Sequence, residues 1–296
     1  MRKTKIAKAI IAAAGYGTRF LPATKSVPKE LLPVVDRPVI EYITEECVQS
    51  GIKDIIIVTR YGSSAVEDYL DSASYLESIL VSKGKIDLVN KIRHTYEKAN
   101  FVFVRQSSNI PYGTAAPLLS AKSLIDKDEN FVFMYGDDLF LSGKPAISQV
   151  IDEFLRTESF ATIGASMVPE SEVCKYGVFE FEDVGDEKIL KNVIEKPKEK
   201  PYPSNLVNVG RHVYNQKIFE YIEKTPLNPS DNNEFQLTTA FLLMSKDLKV
   251  TIKTIEGKWV TTGDPLNMIK ANLIYAKNNP EYKDKIIEFL EELLRE

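Results

Sequence analysis

Apolar positions come in short unbroken runs over the first half of the chain, at Ala7–Ala13, Asp54–Thr59, Phe101–Arg105 and Phe131–Tyr135. Runs of that length, rich in Ile, Val and Phe, predict buried strands of a mainly parallel sheet covered on both faces. Between them, apolar residues recur at helical spacing near Pro38–Ser50, Ser63–Leu70, Ile86–Glu97 and Gly113–Leu124. Strand and helix therefore alternate, as in an α/β domain. Beyond Ser159 strands dominate: Phe160–Met167, Val178–Phe181, Ile189–Ile194, Leu206–Tyr214 and Val250–Ile255. Helices are predicted at Gln216–Lys224, Glu234–Ser245, Pro265–Lys277 and Glu281–Arg295. The last carries Ile286, Ile287, Leu290, Leu293 and Leu294 on one stripe between charges, a face expected to pack on its own domain or else on a partner subunit. The Pro- and Lys-rich run Lys196–Pro203 reads as a loop. With no repeat or linker in it, the chain reads as one continuous domain over residues 1–296.

Composition changes this picture little. A chain of 296 residues with 44% hydrophobic and 27% charged content is that of a soluble globular domain with a sizeable core. A net charge of -4 leaves no electrostatic footprint for nucleic acid, so any polyanionic ligand must be met by a few cations at one place. Cys47 and Cys174 stand in no C-x-x-C pattern and are expected to be free buried thiols, as in a reducing cytoplasm. His94 and His212 lack metal-ligand spacing. The basic Met1–Lys5 and apolar Ile6–Ala14 could imitate a leader, but the run passes straight into Gly15 and reads as a first strand. No stretch approaches the roughly 20 apolar residues that cross a bilayer, so a cytoplasmic protein without a membrane partner is expected.

The candidate chemistry begins where the first strand ends, at Ala12-Ala13-Ala14-Gly15-Tyr16-Gly17-Thr18-Arg19-Phe20-Leu21-Pro22. Small residues and two glycines let the backbone approach a ligand, and successive N–H groups there can cup an anion. Ligands of open α/β sheets lie beyond the carboxyl ends of strands, where this loop falls. A dinucleotide fingerprint would need glycine at Phe20, and a Walker A loop would need Gly-Lys followed by Ser or Thr. Neither fits. The loop continues, as an expected unstructured stretch, through Lys25, Pro28, Lys29, Glu30 and Pro33, so Arg19 and Lys29 bring two cations of the kind a triphosphate requires.

Gly15-x-Gly17-Thr18-Arg19 followed by Pro28-Lys29-Glu30-Leu31-Leu32-Pro33 resembles the opening motif of the sugar-nucleotide pyrophosphorylases. The string Phe20-Leu21-Pro22-Ala23-Thr24-Lys25 is similar to their UTP–glucose-1-phosphate uridylyltransferase branch, and matches extend over roughly residues 5 to 277. The resemblance implies a Rossmann-like three-layer α/β/α nucleotidyltransferase fold with a predominantly parallel, mixed central sheet. It also implies a nucleotide-binding half over about 1–135, a sugar-phosphate half over about 136–277 and a C-terminal helix over 278–296. Ala13, Ala14, Gly15, Gly17, Thr18, Gln106, Gly113 and Thr114 would bind the nucleotide, with the Gln106 amide reading a pyrimidine edge. Arg19, Lys29 and Lys196 would be catalytic. Gly177, Glu195, Lys196, Asn208 and Gly210 would bind the sugar phosphate, within Tyr176-Gly177-Val178, Val193–Pro197 and Pro203–Arg211. Asn233–Thr238 also matches, as a helix start. Asp137, after an apolar strand, would hold Mg²⁺, a cation that takes one or two carboxylates plus substrate phosphates. The family's second metal carboxylate falls where this chain has Thr261, which leaves Thr261 through its hydroxyl or a bound water, Asp264, off register, or Asp137 and substrate alone to hold the metal.

The implied reaction joins UTP and glucose 1-phosphate into UDP-glucose and pyrophosphate by in-line displacement, in a homodimer or homotetramer. Thymidylyl transfer from dTTP and a non-catalytic nucleotide-sugar sensor are the alternatives, the second drawing only on Thr261. A thymine pocket differs from a uracil pocket by one methyl group, worth about 1–3 kcal/mol.

Overall fold

The computed structural model describes residues 6–62, 64–227 and 234–295. Ser63, Asn233 and Lys5, each an edge of a predicted segment, lie outside them, as does the rest of Met1–Lys5.

Strand β1 (Lys8–Ala13) leads into three short 3-10 turns, Thr18–Phe20, Ala23–Lys25 and Lys29–Leu31. The expected unstructured loop is thus an ordered one, closed by the small hairpin β2 (Pro33–Val34) and β3 (Arg37–Pro38). Helix α1 (Val39–Gln49), β4 (Asp54–Thr59), α2 (Ala65–Tyr69), α3 (Ser74–Ser82), α4 (Ile86–Tyr96) and β5 (Asn100–Arg105) follow. Then come α5 (Ala116–Ala121), β6 (Asn130–Tyr135), β7 (Asp138–Leu141), α6 (Ala146–Thr157) and β8 (Ala161–Met167). A hairpin of β9 (Gly177–Val184) and β10 (Glu187–Glu195) precedes β11 (Leu206–Asn215). The chain ends with α7 (Ile218–Lys224), α8 (Leu237–Ser245), β12 (Val250–Thr254), β13 (Lys258–Thr261), α9 (Pro265–Asn278) and α10 (Lys283–Leu293). Helices α3 and α6 and strands β7 and β13 are additional to the elements expected from sequence.

Nine strands form one sheet in the order β5-β4-β1-β6-β11-β8-β12-β10-β9. Side chains alternate across it: Ile11, Ile55 and Ile57 join α1 and α6 on one face, through Ile40, Ile43, Ile147 and Phe154. Ile10, Ile56 and Val58 meet α5, α7 and α8 on the other, through Leu118, Phe219 and Phe241. Continuous apolar runs are what two covered faces require. The parallel block is β5-β4-β1-β6, and β8–β12 is a further parallel pair. The remaining pairings are antiparallel, so the sheet is mixed.

Register decides where the chemistry falls. Ala13, Thr59 and Arg105 are level across β1, β4 and β5, and Ala12 is level with Tyr135 of β6. The segments beginning at Gly15, Gln106 and Asp137 therefore leave one edge of the sheet together. Strand β11 runs antiparallel to β6, with Arg211 opposite Met134, which carries its opening residues, including Asn208, to that same edge. Helix α10 packs on α9 with Ile286, Ile287 and Leu290 half-buried, while Leu293 and Leu294 are exposed. Cys47 is buried as expected, but Cys174 is exposed in the turn before β9, a correction to its expected burial.

Candidate active site

Two adjoining hollows line this edge and share Thr114, Tyr135, Asp137 and Glu234. One, of about 250 Å³, is bounded by Ala14, Gly15, Lys29, Glu30, Gln106 and Gly113. The other, of about 210 Å³, is bounded by Arg19, Gly177, Glu195, Lys196, Asn208 and Thr261. Residues singled out from widely separated motifs thus meet in one cleft. Ala13 is buried at the end of β1 rather than in the cleft wall. Gly17 and Thr18 shape the turn that presents Arg19: Gly17 packs against Thr24, whose hydroxyl donates to the Gly17 carbonyl at 2.7 Å. Gly210 lies beneath Tyr135 and donates its N–H to Asp138 at 3.2 Å.

At the centre, Lys29 Nζ stands 2.5 Å from Asp137 Oδ2. Burial works against the ammonium charge, but the Asp137 and Glu30 carboxylates outweigh it and raise the Lys29 pKa, so the side chain is a fixed cation. Burial likewise opposes the Asp137 charge, and Lys29 with Arg19 overcomes it and holds that carboxyl below the usual range. The neighbouring Asp138 behaves oppositely: burial, then Asp137 beside it, lifts its pKa to about 6. Its two oxygens are committed to the Trp259 indole N–H at 3.0 Å and the Gly210 N–H. Adjacent aspartates therefore have separate tasks, one facing the cleft and one fixing its wall.

Glu30 is the residue that sequence reasoning passed over. Only 1% of it is exposed, and neither carboxylate oxygen has a hydrogen-bond partner among the described residues. Lys29 Nζ is 3.9 Å away. Burial pushes the Glu30 pKa up to about 7 against the pull of Lys29. A buried carboxyl left without hydrogen bonds at a cavity wall is costly unless a ligand supplies donors. Its place in Pro28-Lys29-Glu30 was visible in the sequence; its burial was not.

The sugar-phosphate side is built on the β9–β10 hairpin, where Gly177 pairs with Glu195. A Cβ on Gly177 would come within 2.9 Å of Glu195 Oε2, so glycine there makes room for the carboxylate. Lys196 follows in a left-handed conformation, φ 43°, with its N–H bonded to the Tyr176 carbonyl at 3.0 Å. Such strain in a non-glycine residue is concentrated at functional positions. Asn208 presents to the same hollow a buried Oδ1 with no hydrogen-bond partner among the described residues. On the nucleotide side Gly113 is equally constrained: φ is 149°, and a Cβ would meet the Phe235 backbone at 2.3 Å.

For a divalent cation, the described residues contain no cluster of three or more His, Cys, Asp or Glu side chains. Asp137 with substrate oxygens and water fits a hard cation that keeps much of its hydration. The Thr261 hydroxyl and the Asp137 carboxylate both approach Gly263, 3.5 and 3.6 Å from the point where its Cβ would stand. Asp264 instead caps α9, accepting from the Asn267 backbone N–H at 3.0 Å and side-chain amide at 2.6 Å. Asp264 is thus engaged at the start of α9, whereas the Thr261 hydroxyl stands with Asp137 beside Gly263.

His212 is buried among Phe133, Tyr135, Tyr214 and Phe241, and burial lowers its pKa to about 3, so it is a neutral core residue. Among the described residues no helix is long and apolar enough to cross a membrane.

The chain is similar to known proteins over nearly its whole length. The family model described as nucleotidyl transferase matches residues 8–278. A UTP–glucose-1-phosphate uridylyltransferase of Staphylococcus haemolyticus is 40% identical over 290 residues, covering 98% of this chain and 99% of that protein. The structure of a UTP-bound UGPase from Acinetobacter baumannii superposes with a TM-score of 0.89 at 34% identity, covering 98% of this chain and 100% of that one. A UDP-glucose pyrophosphorylase complexed with UDP-glucose gives a TM-score of 0.81 at 33% identity, covering 93% and 100% respectively.

Proposed function

The chain belongs to the nucleotidyl transferase family, and from that premise we propose that it transfers a uridylyl group from UTP to glucose 1-phosphate, giving UDP-glucose and pyrophosphate. The observation that carries the reading is the single cleft in which Arg19, Lys29 and Asp137 adjoin Glu195, Lys196 and Asn208. Gln106 and Gly113 hold the base, Glu30 accepts from the ribose hydroxyls, and the Gly15–Thr18 backbone with Arg19 and Lys29 cradles the phosphates. Glu195 and Asn208 accept hydrogen bonds from the sugar, and Lys196 draws in its phosphate.

The nucleophile is a phosphate oxygen of glucose 1-phosphate, already anionic at neutral pH. It attacks the α-phosphorus of UTP as the bond to the β-phosphate bridging oxygen breaks and pyrophosphate leaves with that electron pair. No protein base is required, and the chain contributes alignment and charge. Lys196 brings the attacking group against its own repulsion, while Arg19 and Lys29 stabilise charge gathering on pyrophosphate. Nucleotidyltransferases of this family generally use a divalent metal; Asp137 and Thr261 would hold it here, most simply as Mg²⁺, where it would neutralise phosphate oxygens. Lys196→Ala is expected to raise KM for glucose 1-phosphate at least about tenfold, with UTP binding unchanged. Arg19→Ala should leave UTP binding measurable and lower kcat by about a hundredfold. Steady-state kinetics with each substrate varied separately checks both, and a variant lacking both cations with full activity would refute the assignment.

Glu30 favours UTP over dTTP as the donor, because a buried carboxylate rewards a 2′-hydroxyl that a deoxyribonucleotide lacks. Charge-assisted hydrogen bonds exceed neutral ones by about 1 kcal/mol, so Glu30→Gln is expected to narrow the UTP/dTTP preference by about fivefold. The same exchange should stabilise the ligand-free protein. A carboxyl whose folded pKa is raised gives its full stability below the unfolded value of 4.5 and loses stability as pH rises through about 7. Thermal melts at pH 5 and pH 8 should therefore show Glu30→Gln gaining on the parent only at the higher pH.

The exposed Phe289, Leu293 and Leu294 of α10, with Leu266 and Ile269 of α9, support a homodimer or homotetramer. The substrates are those of cytoplasmic metabolism, which supports that location.

A further inference from the structure

Tyr16 and Tyr112 are 57% and 56% exposed, and neither belongs to a core cluster. They come from opposite banks of the nucleotide hollow, Tyr16 from between the two loop glycines and Tyr112 from the residue before Gly113. Yet their ring centroids lie 6.0 Å apart at an interplanar angle of 33°. Arg60, the first residue beyond β4, places its guanidinium 5.3 Å from the centroid of the Tyr16 ring. Tyr16 is thus in contact with Tyr112 and with a cation, each from a different segment. The Tyr112 backbone is fixed as well, its carbonyl accepting the Phe235 N–H at 2.9 Å. Single exposed aromatics need no explanation. Two that meet at the edge of a cavity, one beside a cation, make a tilted aromatic surface held in advance of any ligand.

Tyr112 itself lines the hollow bounded by Gly15, Gln106 and Gly113. Gln106 can read the edge of a base, but an edge contact leaves the faces of the ring to water. We propose that Tyr112 is the aromatic wall on which the pyrimidine of the nucleotide packs, with Tyr16 and Arg60 as positioning residues that hold that wall across the cleft. This rests on the nucleotidyl-transfer reading above and adds to it a source of affinity that is indifferent to which base is present, since every base has a π-face. The arrangement makes Tyr112 a determinant of nucleotide affinity, while choice among bases stays with Gln106.

The test is binding of UMP, which carries base and ribose but no triphosphate, by calorimetry, together with steady-state kinetics for UTP and glucose 1-phosphate. Tyr112→Ala should weaken UMP binding about tenfold or more and raise KM for UTP in step, with kcat within about twofold and KM for glucose 1-phosphate unchanged. Tyr16→Ala and Arg60→Ala should show the same split at smaller size. Tyr112→Phe, which keeps the ring, should bind UMP as the parent does, and Tyr75→Ala, remote on α3 and 82% exposed, should change nothing. If the parent and Tyr112→Ala bind UMP equally, the wall is disproved while the reaction stands. If the parent binds neither UMP nor UTP, the functional reading and this inference fall together. A kcat loss in Tyr112→Ala without a change in UMP binding would also overturn it.

Discussion

Lys29→Met is expected to lower kcat for UDP-glucose synthesis by about 10²–10³-fold, the loss seen when one preorganised charge-stabilising group is removed from a closed site. The expectation follows from the position of Nζ, 2.5 Å from Asp137 Oδ2 and beside the Gly15 backbone. Without it, negative charge gathering on pyrophosphate meets one cation fewer, and Asp137 loses the partner that keeps its carboxyl below the usual range. The loss should appear equally in kcat and in kcat/KM for glucose 1-phosphate, because the ammonium is proposed to act on the leaving group and not on the sugar. Pyrophosphorolysis of UDP-glucose should fall in parallel, since both directions share one transition state. Turnover numbers measured in both directions check this, and a fall confined to KM would show Lys29 to be a binding group only.

The second large effect is on stability. Arg211 is fully buried and donates to both carboxylate oxygens of Glu46 at 2.9 and 2.8 Å, and to the carbonyls of Gly210 at 2.9 Å and Asp138 at 2.6 Å. It therefore joins α1, β7 and β11 directly beneath the cleft. Removing one member of a buried pair leaves the other charged and unpaired, at a cost of about 3–5 kcal/mol. Arg211→Met should destabilise by that amount in denaturant titrations. Adding Glu46→Gln should recover much of the loss, because the second change removes the orphaned charge while keeping an acceptor for the Ile147 N–H, which Glu46 receives at 2.8 Å. Additive losses in the double variant would contradict the pairing as the source of stability.

These residues also show what a linear chain reveals. The placement of Arg19, Lys29 and Asp137 at one cleft was legible because it depends on local context: glycines that bend the loop, and an acidic residue just past an apolar strand. Parallel β1, β4, β5 and β6 were legible because two covered faces demand unbroken apolar runs. The signal of α6 was present in Ile147, Val150, Ile151, Phe154 and Leu155, but it lay close before another strand and was not assigned. Strands β7 and β13 are four residues each and exist because Asp138–Leu141 pairs with Lys258–Thr261, which no local pattern announces. Asp264 shows the converse: a carboxylate near a motif suggests a ligand, and only the folded chain shows its oxygens engaged at the start of a helix. Glu30 and Arg211 lay beyond reach for one reason. A charged residue reads as a solvated surface group until tertiary structure buries it, and the partner of Arg211 is 165 positions away.

Direct displacement requires that one cleft bring a nucleoside triphosphate and a sugar phosphate together. Phosphorus-31 magnetic resonance of the purified protein with UTP, glucose 1-phosphate and Mg²⁺ tests it in one tube. UDP-glucose and pyrophosphate should rise in equal amounts, and the Arg19→Ala/Lys29→Met double variant should stay nearly silent. Release of UMP without UDP-glucose, or full activity in that double variant, would rule out direct displacement in this cleft.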